Sequence, residues 1–344
     1  MDKEFLPTPA QVRAYLDLSS ETDPVGALVE SSLLEPLKTF FAAPGKGIRG
    51  QIVPLGFKLS PESGPAFLNL EAELLCKKAT GVMEALHGGS LVVDDIQDDS
   101  TERRGSPTLH RTHGVPVALN AGNWLYFWPL HWISQWQLDK DREIALYRLC
   151  HDALLQAHFG QALDVGIAVD RLPPSQIWEV CLKSLELKTG ALMGLGLALG
   201  STLGRASAER AALLKEFGVE FGVALQMFDD IGNLRPHIKG APNPKRFEDL
   251  KLRRPSFVWG YLAQEWGEPE FLEFRRAVQA LPNVEVLCTW LENHGFIEKA
   301  KQVAARHLND ILQRFASELK GHGDFSEALT PLWQLAEKLK GSYE

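Results

Sequence analysis

Residues 66–99 read AFLNLEAELLCKKATGVMEALHGGSLVVDDIQDD. Apolar positions recur there at three- and four-residue spacing and no proline intervenes, the pattern of one long helix. At 1.5 Å per residue that helix runs roughly 50 Å, enough to cross a whole domain. Further helical patterns cover about 25–42, 116–137, 140–168, 174–203, 207–234, 255–265, 269–281, 286–294, 296–320 and 325–340. SPESGP at 60–65, RRGSPT at 103–108, DRLPPS at 170–175 and RPHIKGAPNP at 235–244 mark loops. Strand signals are weak, and no repeat or low-complexity linker divides the chain. The expected architecture is a single all-α domain over residues 1–344, a bundle of long helices around a central cavity.

Composition narrows the function classes. The chain has 344 residues, 45% hydrophobic and 23% charged, which suits a globular protein with a large core. Lys+Arg 36 against Asp+Glu 44 gives −8, with no basic excess for a nucleic-acid backbone, so no nucleic-acid partner is expected. Cys76, Cys150, Cys181 and Cys288 are scattered without a CxxC pair, against a thiolate zinc site or a disulfide framework. The first residues lack a continuous apolar run. Residues 117–136 and 189–204 are too polar or too short for a bilayer span of roughly 20 apolar residues. A cytoplasmic protein, not integral to a membrane, is expected.

The chemistry concentrates at Asp94-Asp95-Ile96-Gln97-Asp98-Asp99, the end of the long helix. Positions i and i+4 share a helical face, so Asp94 and Asp98 project together with Asp95 beside them. Two carboxylates about 6 Å apart repel by roughly 3 kcal/mol at an effective dielectric near 20. They also meet the negative end of the helix macrodipole. An apolar run leading into such a cluster calls for a cation, and hard divalent ions such as Mg²⁺ take carboxylate oxygens while keeping positions open for phosphates. A solvated acidic helix end is the plain alternative.

A second acidic pair, Asp229-Asp230, ends the apolar helix EFGVEFGVALQMFDDIGN, with Asn233 at i+4. Two such ends facing one another would hold several Mg²⁺ ions and a diphosphate. Basic residues suited to phosphate follow the same order: Lys46 and Arg49 in PGKGIRG, Arg103-Arg104-Gly105, Lys188-Thr189-Gly190, then Lys245 and Arg254.

On these residues the sequence resembles the trans-isoprenyl diphosphate synthases, the polyprenyl synthetase family. EALHGGSLVVDDIQDDSTERRG matches the family's first aspartate-rich motif, DDxxD followed by RRG. GKGIRG matches its GKxxRP segment, with Gly50 where proline is usual; GQALD at 160–164, KTG at 188–190 and LQMFDDIGN at 225–233 fall in the family's order. The resemblance covers roughly residues 40–260 and is strongest for geranylgeranyl diphosphate synthases.

What the resemblance implies is specific. The fold would be the isoprenoid synthase bundle, usually a homodimer. Asp94, Asp95, Asp98 and Asp229 would bind three Mg²⁺ ions holding an allylic diphosphate (dimethylallyl, geranyl or farnesyl), with Asp230 supporting. Arg103, Lys188 and Arg254 would neutralise that diphosphate. Lys46, Arg49, His87 and Arg104 would bind isopentenyl diphosphate; Lys245 falls one residue out of register in the same role. Thr189 and Gln226 would lie beside the reacting carbons, with Lys188 close by. Asn233 replaces the last aspartate of the second motif, keeping an oxygen and losing a charge.

Product length follows from the residues beneath Asp94. Gly89 and Ser90 make the first layer small, and Leu86 and Met83 are the next layers. The family's bulky aromatic there is missing, so the expected product is C20, geranylgeranyl diphosphate, and a Gly89→Phe exchange is expected to shorten it. Trp124, Trp128, Trp132 and Trp136 recur every four residues along a helix interrupted at Pro129 and form a core ridge, a subunit interface or a tail lining. Two other functions use the same motifs: a class I terpene cyclase, and a non-catalytic subunit of a heteromeric synthase. The second diphosphate site argues against the first and the retained aspartates against the second.

Overall fold

A computed structural model of the chain describes residues 5–20, 22–43, 49–61, 69–238, 240–320 and 326–341. It is all-α; among the described residues, strand pairing is confined to two hairpins with two residues on each arm. The chain packs as two compact units, one of Met1–Pro54 with Leu68–Cys150 and one of Leu55–Phe67 with His151–Glu344.

The first unit carries α1 (Pro9–Tyr15), α2 (Pro24–Val29), a π-helical turn at Glu30–Leu34 and α3 (Glu35–Phe40). The chain continues through α4 (Arg49–Lys58), α5 (Leu70–Gln97), a hairpin of β1 (Glu102–Arg103) and β2 (Ser106–Pro107), α6 (Leu109–His113), α7 (Val115–Ser134) and α8 (Lys140–Gly166), with α4 from Leu55 and α8 from His151 belonging to the second unit. The long helix starts where Asn69 caps it, the side chain accepting from the Ala72 N–H at 2.8 Å. Glu71 and Glu73 in the first turn favour that end. Its last turn has no basic residue to offset the aspartates.

α7 runs unbroken through Pro129, where an interruption was expected. Proline removes one helical hydrogen bond at a cost of roughly 3 kcal/mol. Against that, α7 buries Ala118, Ala121, Gly122, Leu125, Pro129 and Ile133, several of them in one apolar cluster with Ala85 and Val92 of α5. The tryptophan ridge belongs to this core. Trp124 stacks on Trp128, and the Trp128 indole Nε1 donates to the Phe5 carbonyl at 2.6 Å. Trp132 meets Trp136 edge-on and lies against Gly81 of α5.

The second unit holds α9 (Pro174–Leu185), a π-helical turn at Glu186–Gly190, α10 (Ala191–Leu203) and α11 (Ala208–Gly232). After α11 come β3 (His237–Ile238) paired with β4 (Ala241–Pro242), then α12 (Glu248–Leu252), α13 (Phe257–Glu265) and α14 (Glu268–Gln279). α15 (Glu285–His294), α16 (Phe296–Lys320) and α17 (Ser326–Gly341) finish the chain. The single helix expected over 174–203 is thus two helices joined by a π turn, a feature often found at functional sites.

α10 is apolar on every side and, apart from Thr202, fully buried, the mark of a central helix. Among the described residues no helix is long and apolar enough to cross a membrane. α11 lies against α10 with almost nothing between the backbones. A Cβ on Gly218 would come 2.7 Å from the Gly194 Cα, and one on Gly222 2.7 Å from the Gly190 Cα and 2.9 Å from the Thr189 carbonyl oxygen.

Backbone cannot yield as a flexible side chain can, so Gly222→Ala forces the helices apart. We expect a loss of about 1–3 kcal/mol, a fall in melting temperature between about 2 and 10 °C. Unchanged thermal unfolding of that variant would show that the crossing has slack.

Candidate active site

In the first unit the acidic end of α5 divides into an inward and an outward part. Asp95 is buried and takes a two-pronged pair from Arg103 of β1, Nε to Oδ2 at 2.6 Å and Nη2 to Oδ1 at 2.7 Å. Asp94 stands 4.0 Å from the same guanidinium and is half-buried, as is Asp98, which caps the helix. The tight β1–β2 turn places Arg104 in the left-handed region at φ 55° and lets its Nη1 donate to the Ala43 carbonyl at 3.4 Å. Burial and the neighbouring Arg103 charge lower the Arg104 pKa from its ordinary value. His87 is buried on α5 two turns before Asp94. Arg49 opens α4, and Lys46 lies outside the described residues.

In the layer beneath Asp94, the Gly89 position faces α7. A Cβ there would come 2.8 Å from the Gly122 carbonyl oxygen and 3.1 Å from carbons of Leu125 and Tyr126. Gly89 is where α5 and α7 touch. Gly89→Phe would part the two helices before it shortened any product. Burial and the Asp94 charge raise the phenol pKa of Tyr126, which flanks this layer. The Ser90 hydroxyl donates back to the His87 carbonyl at 2.8 Å, and Leu86 and Met83 are fully buried.

The second unit assembles the other group of candidates around the π turn. Thr189 Oγ1 donates to Gln226 Oε1 at 2.7 Å, and Gln226 Nε2 donates to Asp230 Oδ1 at 2.8 Å. Asp230 is 3% exposed and also accepts from the Phe257 N–H at 2.7 Å, so its two oxygens face protein while Asp229 remains half-buried beside it. Lys188 Nζ sits 2.7 Å from Asp164 Oδ2, and the Asp164 carbonyl accepts from Arg254 Nη1 at 3.1 Å. One aspartate thus orients both cations. It stands in the GQALD stretch, and no role was read for it from the sequence. Lys245 pairs with Glu248 at 2.9 Å, within its own loop.

Asp249 is the second residue that went unread. It accepts from Asn233 Nδ2 at 2.9 Å, and the protein packed around it raises its carboxyl from an ordinary 3.8 to about 7. Asp230 is raised for the same reason, helped by the Asp249 charge. Among the described residues no set of three or more His, Cys, Asp or Glu side chains is close enough to hold an ion unaided. Mg²⁺ asks for less, since it binds through one or two carboxylates and completes its shell with water and phosphate oxygens. The half-buried Asp94, Asp98 and Asp229 offer such partial, oxygen-only sets.

The polyprenyl synthetase family model matches residues 30–275, most of the chain, from before PGKGIRG to beyond Arg254. The chain belongs to the polyprenyl synthetase family. It is 33% identical over 172 residues to a geranylgeranyl pyrophosphate synthase of Clitopilus passeckerianus, covering 49% of this chain and 48% of that one. To the geranylgeranyl pyrophosphate synthase of Mucor circinelloides f. lusitanicus it is 28% identical over 229 residues, covering 66% and 68%. The matched stretch thus spans about half the length of the first relative and about two thirds of the second. The geranylgeranyl pyrophosphate synthase of Corynebacterium glutamicum, solved with isoprenyl diphosphate and magnesium, superimposes with a TM-score of 0.76 at 20% identity, over 99% of this chain and 97% of that one. At that identity the likeness is one of fold, and it is the isoprenyl synthase fold.

The raised carboxyls set a pH dependence in the metal-free protein. Between about pH 4 and 7 the folded chain keeps a proton on Asp249 that the unfolded chain has lost, and Asp230 is shifted in the same direction. Their contribution is therefore present on the acid side and lost as the pH rises through about 7. Relative to the wild type, Asp249→Asn should gain stability across that window, by at most about 4 kcal/mol. Urea titrations in EDTA at pH 4.5 and 7.5 measure it, and a difference independent of pH would refute the assignment.

Proposed function

We propose that the chain is a trans-prenyltransferase that condenses isopentenyl diphosphate with an allylic diphosphate in 1′–4 fashion, a single catalytic unit over its whole length. What carries the reading is that each compact unit pairs an acidic helix end with cations: Asp94, Asp95 and Asp98 with Arg103, and Asp229 and Asp230 with Lys188 and Arg254. An acidic end alone repels a diphosphate; acid and cation together suit a diphosphate brought in with divalent metal.

Lys188 and Arg254, oriented by Asp164, neutralise the allylic diphosphate as its C1–O bond breaks and the electron pair leaves with oxygen, and Arg103 joins them. Lys46, Arg49, His87 and Arg104 hold isopentenyl diphosphate so that its double bond attacks the freed C1. The Gln226 amide is fixed at both ends, by Thr189 and Asp230, so its oxygen and the Thr189 hydroxyl present a set dipole to the allylic cation. The departed diphosphate takes the final proton, and no side-chain base is needed. Asp94, Asp95, Asp98 and Asp229 would hold three Mg²⁺ ions, whose chemistry when bound would be charge neutralisation of the leaving diphosphate. Freeing Asp95 for that role requires Arg103 to turn toward the diphosphate.

C20 is the proposed product, supported by the geranylgeranyl pyrophosphate synthases among the relatives. Exposed Leu119 and Phe127 on α7, with Leu155 and Phe159 on α8, support a homodimer. We place the protein in the cytoplasm.

Incubation with Mg²⁺, labelled isopentenyl diphosphate and farnesyl diphosphate should give a C20 alcohol after dephosphorylation and reverse-phase chromatography. A dominant C15 alcohol, or a ladder to C30 and beyond, would reassign the product. Hydrocarbon or alcohol formed without isopentenyl uptake would favour a cyclase. Silence from folded protein would favour a non-catalytic subunit.

Asp94→Ala and Asp229→Ala should each lower turnover by at least about a hundredfold with the melting temperature retained. Near-normal rates in both would remove the metal assignment.

A further inference from the structure

Asn233 stands where the second acidic motif would close with an aspartate, and its side chain is already engaged. Its Nδ2 donates to Asp249 Oδ2 at 2.9 Å, and its backbone carbonyl accepts the Phe247 N–H at 2.8 Å. The two bonds tie the chain returning from the β3–β4 hairpin to the end of α11. Asn243 closes the same loop from inside, donating to the carbonyls of Gly232 and Arg235 at 3.2 and 3.1 Å. Phe247 meets the clamp in the left-handed region, at φ 62°, and α12 begins immediately after it. At the other side of Asp249, its carbonyl accepts the Arg254 N–H at 2.9 Å. Asp249 therefore links Asn233 to Arg254.

We propose that Asn233 is a positioning residue, a latch whose amide N–H holds the Asp249 carboxylate and so fixes α12 and Arg254 against the end of α11. On this account asparagine is the residue the position requires. An ionised aspartate has no N–H to give and would set carboxylate against carboxylate, beside a residue that already feels the negative charges of Asp164, Asp229 and Glu248. The partner's chemistry also settles which end of the amide faces it, since only the nitrogen can donate. The link from latch to substrate rests on the prenyltransferase reading; the link from Asn233 to Asp249 does not.

The test is a double-mutant cycle in the full-length chain: Asn233→Asp, Asp249→Asn and the exchanged pair Asn233→Asp/Asp249→Asn, which rebuilds the hydrogen bond with donor and acceptor swapped. Melted at pH 8 in EDTA, Asn233→Asp should lose about 2–6 °C, and the exchanged pair should melt above the sum of the two single effects, the gain expected of Asp249→Asn included. With Mg²⁺, Asn233→Asp should raise KM for farnesyl diphosphate about threefold or more, kcat should fall less, and the exchanged pair should restore KM. The proposal is overturned if the melting effects are additive or Asn233→Asp melts as the wild type does. It is equally overturned if Asn233→Asp lowers the Mg²⁺ needed for half-maximal turnover at unchanged KM, the behaviour of a restored metal ligand. A wild type without turnover would remove the prenyltransferase reading, while the melting cycle still decides the latch.

Discussion

The backbone contact of the π turn and α10 with α11 is the constraint from which the second unit's chemistry follows. Side chains ordinarily keep packed helices 8–10 Å apart. Here Gly190 and Gly194 on one side meet Gly218 and Gly222 on the other, and the helices close to backbone contact. Only at that distance do Thr189 and Gln226 reach each other through short side chains, and only then is the Gln226 amide held for Asp230. The π turn adds its extra residue beside the crossing. Gly160 of α8 brings a second backbone up to it, since a Cβ there would stand 2.6 Å from the Lys188 nitrogen. Asp164, one turn further along α8, then lies within reach of Lys188. Packing by the smallest residue thus determines the positions of a lysine, a threonine and a glutamine.

Both acidic helix ends work against their own helix, because carboxylates at a C-terminus face the negative end of the dipole. The two units relieve this differently. Asp95 is matched by a full positive charge from Arg103 in a buried place. Asp230 and Asp249 receive neutral donors, the Gln226 and Asn233 amides and the Phe257 N–H, and remain under-compensated, which is why burial raises both carboxyls.

The long helices were legible because periodic apolar residues and proline-free runs survive into the structure: α5 over 70–97 against 66–99, α11 over 208–232 against 207–234. The acidic ends, the RRG turn and the KTG segment were legible because their side chains have no other economical use. What escaped depends on distances that no single helix contains. A π turn inside an unbroken apolar pattern leaves no trace in the spacing. Pro129 reads as a break until the apolar face it shares with α5 is weighed. Asp164 and Asp249 look like ordinary surface acids, because their partners, Lys188 and Asn233, lie 24 and 16 positions away.

Backbone strain occurs at several helix ends, after α1, α7 and α10 at Asp17, Gln137 and Arg205, and also beside the acidic ends. Of the non-glycine residues in the left-handed region, Asp99 and Arg104 follow the end of α5, and Phe247 and Arg253 bracket α12 next to Asn233 and Arg254. Each costs roughly 1–2 kcal/mol, and a chain selected for stability alone would use glycine at such turns. Glycine would give up what these side chains provide. Arg104 needs its guanidinium at the β1–β2 turn. Arg253 brings its guanidinium Nε to 3.8 Å from Asp170 Oδ2, which ties the α12 end to the segment after α8. The strain is tolerated because charge must be held at the acidic ends by loops too short to reach them in relaxed conformations. Four of these strained positions therefore lie beside the two acidic helix ends, where the charged side chains have to be placed.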